Sequence, residues 1–518
     1  MSQHFASSHY VSHKVGGLRL LYEPLSLLCA LREQIPEHKF SAVDDACGVS
    51  GILQRRRKFL NALVRLAALK QEWHLALTAG CDEESVIIVV AGNLDVSDLV
   101  VPFLEELLGM VNRALDAGLN ARSWETELGK ISNYVMDWQG DNSWAVYHRI
   151  FDHIAPVCIP LMAASPEELE GNSPGRSCDF PVWFKQSFVD SHGMALRKAD
   201  MPALVQKCYA ASRDGKFDIF KRFICQSQPS VETFEEFHQQ LLDLAMPMKM
   251  CDLLLRSAIC IREHLQRETQ VEHVPPVQRM KIPLVRKKQI PDAILNRIDS
   301  DPEHYKLLRQ GLEQVVPAPS KLSERLKYYP ENVYTEIHPE LRVIDFFDKR
   351  SRLQYWDDCD KYIATSKPCC YLCSQYVSHR RNHQIQNCDP TDIDLQWRLP
   401  DIRAVESNAR FDEQKMILRK MTERARRDVE NFILERCSGS NDLSDDDSSQ
   451  SSSLSIDTIT TLQELSIGEA NEYLNPYRLP PVIEGDKCPG SKRCDGSDDE
   501  DDEETVVFKG RRGTTSTG

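Results

Sequence analysis

Two short motifs separated by 25 residues constrain this chain more than any other feature of its sequence. The first is Ile337-His338-Pro339-Glu340, and the second is Ser366-Lys367-Pro368-Cys369-Cys370-Tyr371-Leu372-Cys373. The interval between His338 and Cys370 has room for one helix and one strand, the shortest connection that brings two helix starts to one edge of a sheet. The motif pair therefore predicts a sheet-based fold in which both motifs meet at that edge.

The residues between the motifs carry the signals for these two elements. Leu341, Ile344 and Phe347 recur at steps of three and four, which predicts a helix with one apolar face, and Pro339 suits its first position. Lys361 to Thr365 is rich in aromatic and β-branched residues, which predicts a strand. We expect a second helix to begin at Pro368, so that each motif lies at a helix N-terminus.

The residue types of the two motifs are those of a zinc hydrolase. Such a site needs three protein ligands, an open position for water and a nearby carboxylate that does not bind the metal. His338, Cys370 and Cys373 provide the ligands, and Glu340 provides the proton carrier. A helix N-terminus lowers the pKa of a thiol and favours the thiolate that zinc requires. The motifs therefore predict Zn²⁺ as cofactor.

The two motifs, together with the downstream Leu395-Gln396-Trp397-Arg398-Leu399-Pro400, resemble the OTT-type branch of the cytidine-deaminase-like superfamily, known from bacterial toxin domains and large fungal proteins. The resemblance covers about residues 300–435. It implies an α/β/α sandwich around a mixed sheet, zinc on His338, Cys370 and Cys373, and Glu340 as general acid and base. It also implies an amino-bearing base in single-stranded nucleic acid or a nucleotide as substrate, but it does not select cytosine or adenine, RNA or DNA.

The chain departs from the family pattern at two positions. Pro339 replaces the small residue that usually separates the histidine from the glutamate, which is compatible with a first helical turn because proline sacrifices no hydrogen bond there. The usual Pro-Cys-x-x-Cys has become Pro368-Cys369-Cys370-x-x-Cys373, so Cys369 competes for the metal. Cys370 is the better ligand because it keeps the two-residue gap to Cys373.

Two alternative interpretations stay open from the sequence. His379 and His383 follow the cysteines and offer a local zinc site with Cys370 and Cys373, although the gap before the first histidine is far shorter than the roughly 12 residues of a zinc finger. The second alternative is a catalytically inactive, zinc-stabilised interaction protein. Glu340 favours an active enzyme, because an inactive fold has no structural need for it.

Composition places the chain among globular proteins of the cytosol or nucleus. Of its 518 residues, 41% are hydrophobic and 27% charged, and no apolar run reaches the roughly 20 residues that cross a membrane. The polar start predicts no secretory signal. Seventeen cysteines without a spacing pattern predict reduced thiols rather than a disulfide framework.

The sequence divides into four parts. Residues 1–270 are mainly helical in pattern and predict a partner-binding or regulatory domain. Val86–Val90 is a candidate buried strand there, although periodicity alone does not distinguish it from a core helix. Residues 271–292 are rich in proline and basic residues and predict a linker. Residues 293–437 form the predicted zinc deaminase-like domain. Residues 438–518 carry eighteen acidic and seven basic residues of a chain with net charge −15, and predict a disordered acidic tail.

Two further elements are predicted beyond the cysteines. Gln396-Trp397-Arg398 is a candidate strand, and Asn408 to Cys437 is a charged amphipathic helix that should pack through Met416, Ile417 and Met421. Without the acidic tail the chain is nearly neutral, so contact with phosphates has to come from local basic patches, such as the linker or this helix.

Overall fold

A mixed β-sheet takes its strands from three distant parts of the chain. The computed structural model describes residues 10–11, 15–34, 51–70, 72–118, 121–164, 179–225, 231–385, 388–403 and 408–438. The strands are β1 Tyr10–Val11, β2 Leu75–Cys81, β3 Ser85–Gly92, β4 Glu268–Val274, β5 Met280–Lys281, β6 Tyr334–Thr335, β7 Gln354–Tyr355, β8 Lys361–Thr365, β9 His383–Ile385 and β10 Ile402–Arg403. The main sheet has the order β4-β3-β2-β8-β9, and β7 also pairs with β2.

Helices precede, interrupt and follow this sheet along the chain. The helices are α1 Val15–Gln34, α2 Ile52–Ala67, α3 Ser97–Asp116, α4 Ala121–His148, α5 Ala155–Ala164, α6 Asp179–Phe188, α7 Met201–Arg213, α8 Ile219–Cys225, α9 Val231–Cys260, α10 Arg262–Leu265, α11 Pro291–Ile298, α12 Pro302–Val315, α13 Pro319–Asn332, α14 Pro339–Asp348, α15 Tyr371–Ser378 and α16 Asn408–Ser438. A π-helical segment, Arg149–Ile154, joins α4 to α5. Among the described residues, no helix combines the length and the apolar character needed to cross a membrane.

The sheet is mixed and is covered by helices on both faces. β2 is antiparallel to β3 and β8, whereas β4 runs parallel to β3 and β9 parallel to β8. Because successive side chains of a strand point to opposite faces, Ile88 and Val90 pack with α2, α3 and α9, and Ile87 and Val89 pack with α1, α14 and α16. This arrangement confirms the predicted α/β class and mixed sheet.

The two predicted helix starts flank the predicted strand. Helix α14 begins at Pro339 and buries Leu341, Ile344 and Phe347, as the spacing predicts. Strand β8 has the predicted limits, Lys361–Thr365. Helix α15 begins at Tyr371 rather than at Pro368, because Cys370 is the N-cap residue of that helix. The first two motif elements are therefore confirmed, and the third begins three residues late.

The sheet also crosses the limits expected for the domains. Strand β3 contains the predicted strand Val86–Val90, and β4 spans residue 270 and continues into the expected linker. The same segment contributes β5, which pairs with β6 just before His338. All described residues lie in one compact unit, Met1–Ser449. Whether the predicted domains fold independently stays a prediction. The predicted acidic tail lies outside the described residues, apart from Ser438.

Most of the helical segment between β3 and β4 packs around an apolar core of its own. Residues of α4 to α9 pack around aromatic side chains that include Tyr147, Phe188 and Phe237. Tyr147 donates a hydrogen bond from its hydroxyl to the carbonyl of Phe188. This core contains none of the motif residues, so the helical segment is an insertion between two strands of the sheet.

Two smaller predictions are wrong. Gln396-Trp397-Arg398 forms no strand, because Trp397 makes only an isolated bridge with Glu336. Helix α16 packs through Ile417 and Met421, which are buried, whereas Met416 is 45% exposed. Its position next to Ile417 turns it away from the core, since adjacent helical residues lie about 100° apart.

One close approach fixes β2 against its neighbours. A Cβ atom on Gly80 would lie 2.5 Å from the carbonyl oxygen of Gln354 and 2.6 Å from the ring of Phe347. Only glycine allows β7 and α14 to approach β2 so closely.

Candidate metal centre

Both motifs place their functional residues in the first turn of a helix. His338 is the N-cap residue of α14, and Pro339 and Glu340 occupy the first turn. Cys370 is the N-cap residue of α15, and the backbone N–H of Cys373 donates a hydrogen bond of 3.5 Å to the Cys370 sulfur. Since β8 connects the two helices through the sheet, their N-termini lie side by side. The predicted meeting of the two motifs is observed.

Three donor atoms converge at this point. His338 Nδ1 lies 3.5 Å from Cys370 Sγ and 3.4 Å from Cys373 Sγ. Zinc ligands at about 2.0–2.3 Å in tetrahedral geometry are roughly 3.3–3.8 Å apart. All three residues are buried, and their donor atoms lie within 4.8 Å of one another. The group can therefore bind a metal ion without rearrangement of the chain.

Asp394 holds the far side of the histidine ring. Its Oδ2 lies 3.3 Å from His338 Nε2, the nitrogen that does not face the sulfurs. A carboxylate in this position fixes the ring orientation and leaves the other nitrogen free to bind a metal. Asp394 follows the second motif by 21 residues, in the irregular segment before Trp397. Asp394 is thus a candidate site residue that neither of the two motifs contains.

Glu340 is fully buried beside the donor group. Its Oε2 lies 3.6 Å from Cys373 Sγ, whereas its Oε1 lies 2.9 Å from His74 Nε2. The His74 contact has ion-pair distance but lacks the direction of a hydrogen bond, so Glu340 Oε1 has no hydrogen-bond partner among the described residues. A buried carboxylate oxygen of this kind calls for a further polar partner.

Burial and neighbouring charges shift the pKa values around the donor group in different directions. A hydrogen bond from Cys373, against the effect of burial, lowers the pKa of the Cys370 thiol to about 6. Burial raises the pKa of the Cys373 thiol well above its usual range. Burial also opposes ionisation of Glu340, yet His74 and His338 lower the pKa of this carboxyl to about 2. These shifts favour the anionic forms of Cys370 and Glu340.

The competing ligands lie outside this group. Cys369 is a buried free thiol whose backbone forms an isolated β-bridge with that of Cys388. A side-chain hydrogen bond to Cys388, together with burial, raises the pKa of the Cys369 thiol. His383 Nδ1 faces the carbonyl of Arg381 at 2.9 Å. Neither His379 nor His383 belongs to a three-residue group with metal-binding spacing among the residues described. The geometry thus favours His338 over the local alternative.

Two aromatic residues near the donor group, Trp397 and Tyr371, belong to the apolar core. Trp397 is fully buried. Tyr371 is 6% exposed and donates a hydrogen bond of 2.6 Å to Asp428 of α16. Neither ring presents a free face to a ligand.

The fold and the donor group define the class of protein as deaminase-like. Residues 337–401 match the model of a family described as OTT_1508_deam-like deaminase. This segment contains both motifs and Asp394, so the domain that holds the donor group is deaminase-like. No curated protein and no solved structure matches the chain significantly.

Proposed function

We propose that this protein is a zinc-dependent hydrolytic deaminase that acts on an amino-bearing base in a nucleotide or in single-stranded nucleic acid. The observation that carries the proposal is the convergence of one imidazole and two thiols with a buried carboxylate that is not one of the three donors. A purely structural zinc site closes its coordination with a fourth protein ligand, whereas a catalytic site keeps one position open. The match of residues 337–401 to a deaminase-like family supports the same reaction.

The donor set fits zinc in three respects. Two thiols and an imidazole are ligands of the softness that zinc prefers. Their spacing agrees with tetrahedral coordination, and Asp394 orients the imidazole. Glu340 is not one of the three donors, and its Oε2 lies 3.6 Å from Cys373 Sγ, on the same side as the donor atoms. When zinc is bound in a three-ligand site, it lowers the pKa of a water molecule toward neutrality, so that a nucleophile is available at pH 7.

Each residue of the site would then have a separate role in the reaction. His338 Nδ1 and the sulfurs of Cys370 and Cys373 hold the metal at the start of two helices. Glu340 Oε2, on the metal side, takes a proton from the attacking water, transfers it to a ring nitrogen of the base, and later protonates the departing ammonia. Burial of Glu340 keeps bulk water from competing for these protons.

The second candidate function is a metal-stabilised interaction protein without catalysis. The helical insertion favours it, because α4 to α9 form their own core and contribute nothing to the donor group. We propose a protein partner for this insertion under either function. The cytosol or nucleus is the proposed compartment, since thiol ligands require a reducing environment to stay free.

The deciding experiment combines metal content with turnover. Wild-type protein, His338→Ala and Glu340→Gln are purified, zinc per chain is measured by elemental mass spectrometry, and ammonia release is measured with cytidine, adenosine, their monophosphates and cytosine- or adenine-bearing oligonucleotides. We expect His338→Ala to lose zinc. Glu340→Gln should keep zinc but lose activity by about 10²–10⁴-fold, the usual contribution of general acid–base catalysis.

Three outcomes would contradict the proposal in different ways. Full activity of Glu340→Gln would exclude Glu340 as the acid and base. Zinc that is unaffected by His338→Ala would place the metal elsewhere. Stoichiometric zinc without turnover of any substrate would favour the interaction protein.

A further inference from the structure

We infer that His74 is a positioning residue that orients the carboxylate of Glu340, an inference that rests on the proposed deaminase function. His74 lies 264 residues before His338, at the start of β2, and belongs to neither motif. Its Nε2 lies 2.9 Å from Glu340 Oε1. No family motif assigns a role to this residue, and its place in the site follows from the pairing of β2 with β8.

The two oxygens of Glu340 face different neighbours. Oε2 lies 3.6 Å from Cys373 Sγ and so faces the metal side, whereas Oε1 faces His74. The terminal torsion of a glutamate is broad, so burial alone does not select which oxygen points to the metal. The imidazole of His74 restricts that rotation from the opposite side. It therefore determines which oxygen receives the proton of the attacking water.

The backbone around His74 is held firmly enough for such a role. The side chain of Asn93, at the end of β3, accepts a hydrogen bond from the backbone N–H of His74 at 3.0 Å and donates one to the carbonyl of Glu72 at 3.1 Å. The backbone N–H of Asn93 also donates to the carbonyl of His74 at 2.9 Å. The next residue, Leu75, donates from its N–H to Ser366 Oγ at 2.9 Å. The backbone around His74 is thus hydrogen-bonded to the segments that follow β3 and β8, one on each side of β2.

A purely structural role explains the side chain of His74 poorly. Its Nε2 is buried and has no hydrogen-bond partner among the described residues, and Glu340 is the group it faces. The side chain of His74 is 20% exposed, whereas that of Glu340 is fully buried. His74 therefore lies between the carboxylate and solvent, where it both orients Glu340 and shields it from bulk water. Misplacement of a catalytic group by about 1 Å costs as much as 10²-fold in rate.

The first test separates positioning from folding by kinetics. His74→Ala, His74→Gln and the control His273→Ala are compared with the wild type in the substrate panel described above. His273 is the next-to-last residue of β4, which β3 separates from β2, and its Nδ1 lies 3.9 Å from Asp95. We expect His74→Ala to lower kcat by about 10–100-fold with KM changed less than about twofold and zinc per chain unchanged. The amide of His74→Gln should restore part of kcat, and His273→Ala should resemble the wild type.

Several kinetic results would overturn the inference. An unchanged kcat in His74→Ala, or a change in KM alone, would show that His74 does not position the carboxylate. A loss of zinc together with activity, or an equal loss of kcat in His273→Ala, would overturn the inference as well. Circular dichroism of each variant shows whether it is folded, and His74→Gln serves as the decisive variant if His74→Ala does not fold.

The second test needs neither metal nor substrate. A double-mutant cycle of His74→Ala and Glu340→Gln is measured as thermal unfolding of the zinc-free protein. Residues in contact are non-additive in such a cycle, whereas independent residues are additive. Non-additive shifts in Tm support the inference, and additive shifts overturn it. If the wild type releases no ammonia from any substrate, the proposed function fails while this cycle still decides whether His74 holds Glu340.

Discussion

Residues 337–401 and residues 74–93 contribute to the same site in opposite ways. The first segment contains the three donors, the buried carboxylate and Asp394, all within two helix starts and one loop. The second segment contains no donor, but its strands β2 and β3 lie in the middle of the sheet, and His74 faces the carboxylate. The chemistry is therefore encoded locally, whereas the geometry that supports it depends on a part of the chain more than 250 residues away.

The largest expected effect comes from the donor segment. In Cys373→Ala we expect bound zinc to fall from near one to below about a tenth per chain, because two protein ligands do not hold zinc against exchange during purification. The Tm should fall as well, since metal binding stabilises the folded state. Elemental mass spectrometry and differential scanning calorimetry measure both.

His379→Ala is the matched control for this loss. It removes a histidine of the alternative local site from the end of the same helix, at its C-cap position. Its zinc content should equal that of the wild type. A loss of zinc in His379→Ala would restore the local site as an interpretation.

A second variant disturbs the supporting segment without touching a donor. In Gly80→Ala the new methyl group would meet the Gln354 carbonyl at 2.5 Å, and a backbone atom cannot turn away as a side chain can. We expect a loss of about 1–3 kcal/mol in the free energy of unfolding, measured by urea denaturation monitored by circular dichroism.

Gly129→Ala provides the comparison for Gly80→Ala. Gly129 lies in helix α4, and no atom lies within 4 Å of a Cβ added there. Alanine should leave stability unchanged or raise it by up to about 1 kcal/mol, because it is the better helix former. An equal loss in both variants would show that the close approach at Gly80 is unimportant.

A smaller effect is expected at the loop residue that orients His338. Asp394→Asn keeps the size of the side chain but removes its charge, so the zinc affinity should fall by about 10–100-fold. Competition with a chromogenic chelator measures this change. Asp401→Asn is the control, because Asp401 pairs with Arg398 at 2.7 Å on the same loop and does not contact His338. Equal affinity in both variants would argue against Asp394 as the residue that orients the ligand.

Much of the donor segment was predictable because its signals are local. The apolar spacing of Leu341, Ile344 and Phe347 specifies helix α14, and the composition of Lys361 to Thr365 specifies β8. The start of α15 was misplaced, because the N-cap role of Cys370 is visible only in three dimensions. The strand expected at Gln396-Trp397-Arg398 was wrong as well, since Trp397 forms only an isolated bridge.

The rest of the site was not predictable from local patterns. The sequence of strand β3 is recognisable as an apolar run. Such a run does not indicate which strands it pairs with, so the position of β3 in the sheet was not predictable. His74 and Asp394 belong to neither of the two motifs. A single histidine before a strand does not indicate which residue its side chain will contact in the folded protein. Strands β3 and β4 are adjacent in the sheet but are separated by a long insertion in the sequence, so their pairing was not predictable. A linker was therefore expected where β4 ends.

The position of β2 also has a consequence for synthesis of the chain. Leu77 of β2 pairs with Ala364 of β8, which leaves the ribosome 287 residues later. At about 5–20 residues per second, the β2–β3 hairpin waits roughly 15–60 seconds for that partner. During this time one side of β2 has unpaired backbone groups next to apolar side chains, the features of an aggregation-prone edge. Successful production of this protein therefore depends on protection of the nascent hairpin until the metal-binding segment has emerged.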